Sequence, residues 1–452
     1  MIERLFQLQA HRATVGTEVL AGLTTFMIMA YIIFVNPAIL SFAGVPALQG
    51  QGPPFGPTLA ATCLVAAVMT AAMGLLTNYP LALASGMGLN AVVAFQLVAG
   101  LKLPWPAAMG VIFLEGLAIT VLVLTGVREA VLNAIPLSQK RAISVGIGLF
   151  ILFIGLVNAG IVKGGVGTPV TLGALTSPRV AVAIAGLALT VLLLARGRRG
   201  ALLLGIAVTT VLAVAVNAAR GGAVWTTPGM AVVPATLVAW PDFSTLGAGL
   251  TLEVFARLGL LAAVLTIFSI MLSDFFDTVG TVVGVGAQAG WLDPAGRLPR
   301  LNRVLLVDSV AAMAGGAASA SSATCYIESA GGVAAGGRTG LTSLVVAGCF
   351  ALALFFAPLA GVVPPEATAA ALVVVGYLMC AQVREIPFGD LDEGLPALLT
   401  LTLMPFTYSI TNGIGAGFVA YTFIKLVRGK GAEIHPLMYG AAAAFVLYFI
   451  LH

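Results

Sequence analysis

The sequence predicts an all-α polytopic membrane protein, and three observations predict it. Of 452 residues, 60% are hydrophobic and only 8% are charged, against about a quarter charged in soluble domains. Mean hydropathy is +1.08. The apolar runs are long and unbroken rather than alternating, which excludes a closed barrel of roughly 10-residue strands. Glycine (54) and proline (23) are plentiful. In lipid, small residues let helices pack closely, and broken helices survive where they line a cavity.

Apolar runs of bilayer length read as helices at 17–40, 58–77, 84–100, 107–126, 141–162, 178–196 and 201–217. A polar, proline-containing linker covers 218–250. Further runs follow at 256–286, 304–319, 326–338, 340–360, 366–383, 394–410, 412–427 and 436–451. Two of these, 84–100 and 326–338, are short and rich in Gly and Ser. The N-terminus, Met1 to Arg12, is polar and amphipathic, and no cleavable signal peptide is expected there.

The basic residues set the orientation. With a cytoplasmic N-terminus and one crossing per segment, the inner side holds Arg4, Arg12, Arg128, Lys140, Arg141, Arg196, Arg198, Arg199, Arg297, Arg300, Arg303, Arg338, Arg384, Lys425, Arg428 and Lys430. Lys102, Lys163, Arg179, Arg220 and Arg257 fall outside. Sixteen against five follows the positive-inside rule. The protein is therefore expected in the cell (inner or plasma) membrane as a multi-pass chain. Run 436–451 is a fifteenth apolar segment, either spanning or lying on the bundle. The net charge of +4 is spread over loops with no Lys/Arg run, so no nucleic-acid partner is expected. Cys63, Cys325, Cys349 and Cys380 lack metal-ligand spacing and read as small buried hydrophobes. No cofactor is called for.

The halves resemble each other. Thr25-Phe26-Met27-Ile28-Met29 leads to Phe34, as Ile267-Phe268-Ser269-Ile270-Met271 leads to Phe276. Ala71-Ala72-Met73-Gly74 precedes a Gly/Ser stretch ending at Asn90, and Ala311-Ala312-Met313-Ala314 precedes one ending at Glu328. Seven crossings per half make the copies inverted. An interrupted segment at matching positions in inverted repeats points to a transporter's central site.

Three pieces carry the chemistry. In Ser273-Asp274-Phe275-Phe276-Asp277-Thr278-Val279-Gly280-Thr281, the two acids lie ~60° apart around a helix, with Thr281 between them in angle. A carboxylate at membrane depth costs several kcal/mol unless it meets a cavity or a partner. The short segments, Leu83 to Ala91 and Ser321 to Gly332, each read as an extended piece followed by a half-helix. Their N-termini offer free N–H groups near Leu89 and Ile327, and the extended pieces can pair with each other. Asn90, Glu328 and Asp277 are then expected to converge on one cavity, with Tyr326 stacking on a ring. That set suits a neutral nucleobase and repels a sulfate or carboxylate.

Gly86-Met87-Gly88-Leu89-Asn90-Ala91, Phe276-Asp277-Thr278-Val279-Gly280-Thr281 and Tyr326-Ile327-Glu328-Ser329-Ala330-Gly331 resemble the nucleobase–cation symporter family (nucleobase/ascorbate transporters). They are most similar to its AzgA-like adenine/guanine/hypoxanthine permease branch, over nearly the whole chain. The resemblance implies 14 transmembrane segments in two inverted repeats of seven, with a strand plus half-helix in segments 3 and 10. It implies a core domain from 1–126 and 251–362, a gate domain from 127–250 and 363–452, and a homodimer. It assigns the substrate carboxylates to Asp277 and Glu328 and the purine-branch asparagine to Asn90. Two departures, Ser329 for an Asn and Gly336 for a Thr, point away from uracil or xanthine. So does Thr281, where the uracil branch has His.

The expected function is import of adenine, guanine or hypoxanthine by cation symport with an elevator-like core movement. H+ is the expected ion, because protonating a buried carboxylate removes a charge; Na+ is the alternative. Asp274, Asp308, Thr281 and Glu115 are candidate coupling groups. For Asp274, Glu115 and Asp308 the plainer reading is a helix–helix hydrogen bond, or for Asp308 a pair with Arg303. Asp390, Asp392 and Glu393 read as a solvated loop, and Arg338 as a cytoplasmic end marker. Competing functions are a uracil/xanthine carrier, a sulfate-permease-like anion transporter, and an intramembrane aspartyl hydrolase using Asp274 or Asp277 with Asp308.

Overall fold

A computed structural model describes residues 2–43, 45–126, 134–165, 167–198, 200–227, 229–234, 236–292 and 298–451. Arg128, Arg199 and Arg297 of the charge count lie outside the described residues. A short helix, α1 (Ile2–Phe6), precedes α2 (Val15–Met29), α3 (Ile32–Leu40) and α4 (Phe55–Thr77). Strand β1 (Leu83–Ser85) leads into α5 (Met87–Ala91), which continues π-helically over Val92–Gly100. Then come α6 (Trp105–Thr125), α7 (Leu137–Asn158), a small hairpin β2 (Val162–Lys163) and β3 (Thr171–Leu172), α8 (Pro178–Ala195) and α9 (Ala201–Ala219).

The order then repeats. Helices α10 (Glu253–Leu258), α11 (Leu260–Ala289) and α12 (Leu301–Ala318) precede strand β4 (Ala323–Cys325) and the half-helix α13 (Ser329–Ala334). After them come α14 (Gly340–Ala353), α15 (Ala357–Gly361), α16 (Pro365–Met379), α17 (Leu391–Thr407), α18 (Ile410–Val427) and α19 (Pro436–Leu451). Among the described residues, eleven helices are long and apolar enough to cross a membrane.

Several expected boundaries move. Run 17–40 is interrupted at Ala30–Tyr31. Run 256–286 begins in a separate short helix, which Gly259 ends at a φ of +76°. Run 326–338 is mostly not helical: the turn after β4 leaves only Ser329–Ala334 as helix. Helix α19 would be about 24 Å long at 1.5 Å per residue, short of a ~30 Å hydrocarbon core, and it packs on α18 and α11. Linker 218–250 is largely irregular, and some of its polar groups pair with the second half of the chain. Ala231 N–H donates to Val362 O at 2.9 Å and Trp225 Nε1 to Glu366 Oε2 at 2.9 Å.

The helices pack in two groups. One holds α2 to α6 with α11 to α14, through α4–α14, α6–α12, α2–α14 and α4–α12. The other holds α7 to α9 with α16 to α19, through α7–α16, α7–α17, α17–α18 and α8–α9. Glycine sets the closest crossings. A Cβ on Gly340 would lie 1.9 Å from Gly74 O, and one on Gly74 would lie 2.5 Å from Gly340 O. In the second group, a Cβ on Gly376 would lie 2.5 Å from Gly148 O. Dispersion between backbones at this range is what holds helices together where lipid removes the hydrophobic drive.

The acids at 390–393 are not a solvated loop. Asp390 caps α17 by accepting from Asp392 N–H at 3.1 Å. Asp392 is fully buried, with Arg428 at 2.7 Å and Lys430 at 2.5 Å. Ser138 donates to Glu393. The N-terminus of α17 lies beside the C-terminal end of α18, so acids at one helix start meet bases at the other's end. Cys63 and Cys325 are buried as expected, but Cys349 and Cys380 are only half-buried.

Gly340→Leu is expected to separate α4 from α14 and cost at least about 1–3 kcal/mol of overpacking strain. Lower thermal stability of the purified protein in detergent, with Gly348→Leu as an unobstructed comparison, checks it.

Candidate functional site

Two three-residue strands cross at the centre of the first helix group. They pair antiparallel, with Leu83 opposite Cys325, Ala84 opposite Thr324 and Ser85 opposite Ala323. Gly86 N–H donates to Ser322 O at 2.8 Å and Tyr326 N–H to Ala82 O at 2.9 Å. Side chains close the outer edges. Thr70 Oγ1 takes Leu83 N–H and donates to Leu83 O, both at 2.9 Å. Asp308 Oδ1 takes Cys325 N–H at 2.8 Å. Asn36 Nδ2 reaches Thr62, Ser85 and Ala320 O, tying α3 and α4 to the crossing. Ser329 Oγ accepts from Ala82 N–H at 3.0 Å, so the serine at this position links the two broken segments. Gly336 has a φ of +105°, a conformation that a threonine would occupy only under strain.

Beyond the strands both chains turn into half-helices, and a cavity opens between their ends. It is lined by Tyr31, residues 86–89, Ser273, Asp274, Asp277, Thr281 and residues 324–328 from the first group. Ile147, Val375 and Met379 line it from the second. Helix α5 makes its first internal bond from Asn90 N–H to Gly86 O at 3.0 Å, so the amides of residues 87–89 precede any helical partner. Among the described residues, no lysine, arginine or histidine lines the cavity.

Asp277, Glu328, Tyr326, Leu89, Ile327, Asp274 and Thr281 therefore come together as expected. Tyr326 is held by its hydroxyl, which donates to Ser85 O at 2.5 Å. Asn90 does not line the cavity. It is fully buried one turn into α5, its Nδ2 is 4.0 Å from Met87 Sδ, and Met87 takes the cavity-facing place. Helical side chains lean toward the N-terminus, which lays Asn90 behind the first turn. Asp308 is also outside the cavity. Thr278 donates to its Oδ2 at 2.6 Å and Cys325 N–H to its Oδ1, so it braces β4. It makes no ion pair with Arg303 among the described residues. Glu115, on α6, is fully buried beside Asp274 and behind the cavity wall.

Tyr31 is the residue that sequence reasoning missed. It sits at the break between α2 and α3, and its hydroxyl donates to Glu328 Oε1 at 2.7 Å. A tyrosine in an otherwise apolar run at membrane depth was the available signal, because a buried phenol needs a partner. Ile147, Val375 and Met379 carry no such signal; they are aliphatic or thioether side chains in apolar helices.

The helical scaffold with a strand crossing and an acid-lined central cavity defines a polytopic membrane permease. The chain belongs to the Permease family (Xan_ur_permease), which it matches over residues 16–451. It is 42% identical to the putative permease MJ0326 of Methanocaldococcus jannaschii, covering 99% of this chain and 98% of that one. It is 40% identical to the adenine permease AdeP of Escherichia coli (99% and 95%) and 39% to the guanine/hypoxanthine permease PbuO of Bacillus subtilis (99% and 99%). In fold it is similar to the transmembrane domain of the cyanobacterial bicarbonate transporter BicA, with TM-score 0.61, 16% identity, and 89% and 96% coverage. The murine anion transporter Slc26a9 gives 0.64 at 14% identity, covering 91% and 68%. Membership of a permease family sets aside the hydrolase reading of Asp274, Asp277 and Asp308.

Asp308→Leu is expected to strand the Cys325 amide and remove the acceptor of the Thr278 hydroxyl, which keeps Thr324 as a partner; a buried unsatisfied amide costs about 1–3 kcal/mol. Asp308→Asn keeps an acceptor for the amide and is expected to lose less. Thermal unfolding of the two purified variants checks the order.

Proposed function

We propose that this chain imports purine bases (adenine, guanine, hypoxanthine) by cation symport, with H+ as the ion. One observation carries the reading: carboxylates from two separate elements, Asp277 of α11 and Glu328 before α13, line the same cavity into which the first amides of α5 open. Ring and exocyclic N–H groups of a purine need acceptors, and its ring nitrogens or carbonyl need donors. An inorganic anion would meet two acids and no base. The names of AdeP and PbuO support the same substrate class at 39–40% identity over nearly the full length. The fold likeness to bicarbonate and anion carriers speaks for architecture alone.

In this reading Tyr31 occupies Glu328 Oε1 and leaves Oε2 for the ligand. Tyr326, with its ring fixed by Ser85, stacks on the base. The amides around Leu89 and Ile327 meet ring acceptors, and Thr281 adds a hydroxyl. Asn90 joins when Met87 moves aside: its Oδ1 is buried without a partner, and a thioether is the adaptable neighbour.

The same proposal takes the fold as fourteen segments in two inverted repeats of seven. The repeated element order and the antiparallel strand pair support it. Residues 1–126 and 251–362 form the core domain, and 127–250 with 363–452 the gate, as the two packing groups suggest. The core moves against the gate in an elevator-like step, with the N-terminus in the cytoplasm of a homodimer.

Asp277→Asn and Glu328→Gln are each expected to reduce uptake of radiolabelled purines by roughly ten- to a hundredfold, from the ~1.5–3 kcal/mol of a charge-assisted hydrogen bond. Tyr31→Phe is expected to weaken binding by less, because Glu328 keeps its charge. Undiminished uptake in both acid variants, at normal membrane levels, would reject the site.

A further inference from the structure

Behind the ligand cavity lie three buried carboxyl groups, and they are not equivalent. Asp308 is saturated, with a hydroxyl on one oxygen and a backbone amide on the other. Both of its oxygens therefore already have a donor. Asp274 accepts from Ser322 Oγ on Oδ2 at 3.0 Å, but its Oδ1 is buried without a partner. Glu115 is fully buried and both of its oxygens lack a partner. Glu115 and Asp274 are neighbours, on α6 and α11. The single proton of the nearby Ser322 hydroxyl is already committed to Asp274.

Two adjacent carboxyl groups in a dry site cannot both be ionised. A base could relieve them, but none among the described residues forms an ion pair with either. The charged groups on the elements packed against α11 are Glu253 and Arg257 on α10, Glu115 on α6, Arg303 and Asp308 on α12, Glu328 at the head of α13, Lys140 and Arg141 on α7, and Lys425 on α18. Arg257 is paired to Glu253 at 2.7 Å, Arg141 to Glu385 at 2.8 Å, and Arg303 is exposed. Asp277 lies on α11 itself. Lys140 sits over the Phe276 ring at 5.6 Å, and Lys425 is paired to Glu433 at 2.6 Å. Neither forms an ion pair with Asp274 or Glu115. A proton placed between the two carboxyls turns the orphan oxygens into donor and acceptor.

We propose that Glu115 and Asp274 form a proton-sharing pair that carries the coupling proton of transport. This rests on the cation-symport reading above and assigns that ion a place. Asp274 lines the cavity and Glu115 does not, so Asp274 is the only member of the pair that faces the bound ligand. The proton enters through the cavity, moves onto the shared pair as the ligand seats against Asp277 and Glu328, and leaves by the same route on the other side. Asp277 and Glu328 remain free to accept hydrogen bonds from the ligand throughout.

The test uses the full-length protein in proteoliposomes, with radiolabelled hypoxanthine. Two readouts are compared: exchange of internal for external hypoxanthine without a gradient, and accumulation driven by a pH gradient. Glu115→Gln is expected to keep exchange, because ligand contacts are intact. It is expected to lose accumulation, which a gradient of one pH unit sustains at roughly tenfold in the wild type. Glu115→Asp is expected to recover part of it. Accumulation by Glu115→Gln equal to wild type would overturn the proposal. A wild-type readout stands apart from any variant's folding. Hypoxanthine entry should acidify the vesicle interior, and entry that instead follows a Na+ gradient with no proton movement would also overturn it. A wild type that neither binds nor exchanges hypoxanthine would remove the functional reading itself, which the first readout separates from a failure of coupling.

Discussion

Everything at the centre of this molecule depends on two short stretches whose backbone groups have no water to turn to. Residues 82–86 and 322–326 leave helical geometry at membrane depth, where an unpaired N–H or C=O costs several kcal/mol. The strands satisfy each other along their shared edge and cannot satisfy their outer edges. Thr70 and Asp308 do that, one from each half of the chain. The crossing has a consequence for chemistry. Two chains that run antiparallel and then turn into helices present two helix starts to nearly the same point. Free amides and positive dipole ends collect there, and they are the groups that make a buried carboxylate or a polar ring tolerable nearby.

That arrangement explains why the acids differ in role despite similar burial. Asp308 is locked by the donors of the strand it braces. Glu328 has one oxygen held by Tyr31 and the other unassigned. Asp274 has one hydrogen bond and one empty acceptor; Glu115 has two empty acceptors. A ranking by depth in the membrane would treat all four alike. Counting the donors at each oxygen separates a saturated carboxylate from one with an acceptor to spare, and both from the pair proposed to share a proton.

Much of this was legible in the sequence, for physical reasons. Helices in lipid leave long apolar runs, and backbone that must break there leaves Gly and Ser, so segments 84–100 and 326–338 stood out. Acids in apolar helices announce themselves, and Asp277, Glu328 and Asp274 do share a cavity. What the residue types hide is direction. Asn90 is three residues from Met87 on the same short helix, and nothing in the spacing says that the thioether stands in front. Asp392 looked solvated because its bases, Arg428 and Lys430, lie 36 and 38 residues away and meet it only through the α17–α18 hairpin. The aliphatic wall of Ile147, Val375 and Met379 is chemically identical to any lipid-facing side chain.

That wall bears on how a loaded site moves. Among the described residues, the hydrogen-bonding side chains around the cavity belong to the first helix group, and those from the second, Ile147, Val375 and Met379, are apolar. A ligand seated on Asp277 and Glu328 is therefore bonded to one body and merely touched by the other. In the proposed movement, sliding the bodies past each other breaks dispersion contacts at the cavity wall that re-form elsewhere, while the buried bonds of Gln96 to Ile410 N–H and Thr411 Oγ1 also join the two groups. The fit is close even without a ligand: a Cβ on Gly88 would lie 2.6 Å from Ile147 Cγ2. Glycine at this position lets the end of the half-helix pass the facing helix. In the proposed cycle, the polar half of the site carries the ligand and the apolar half sets where it can be released.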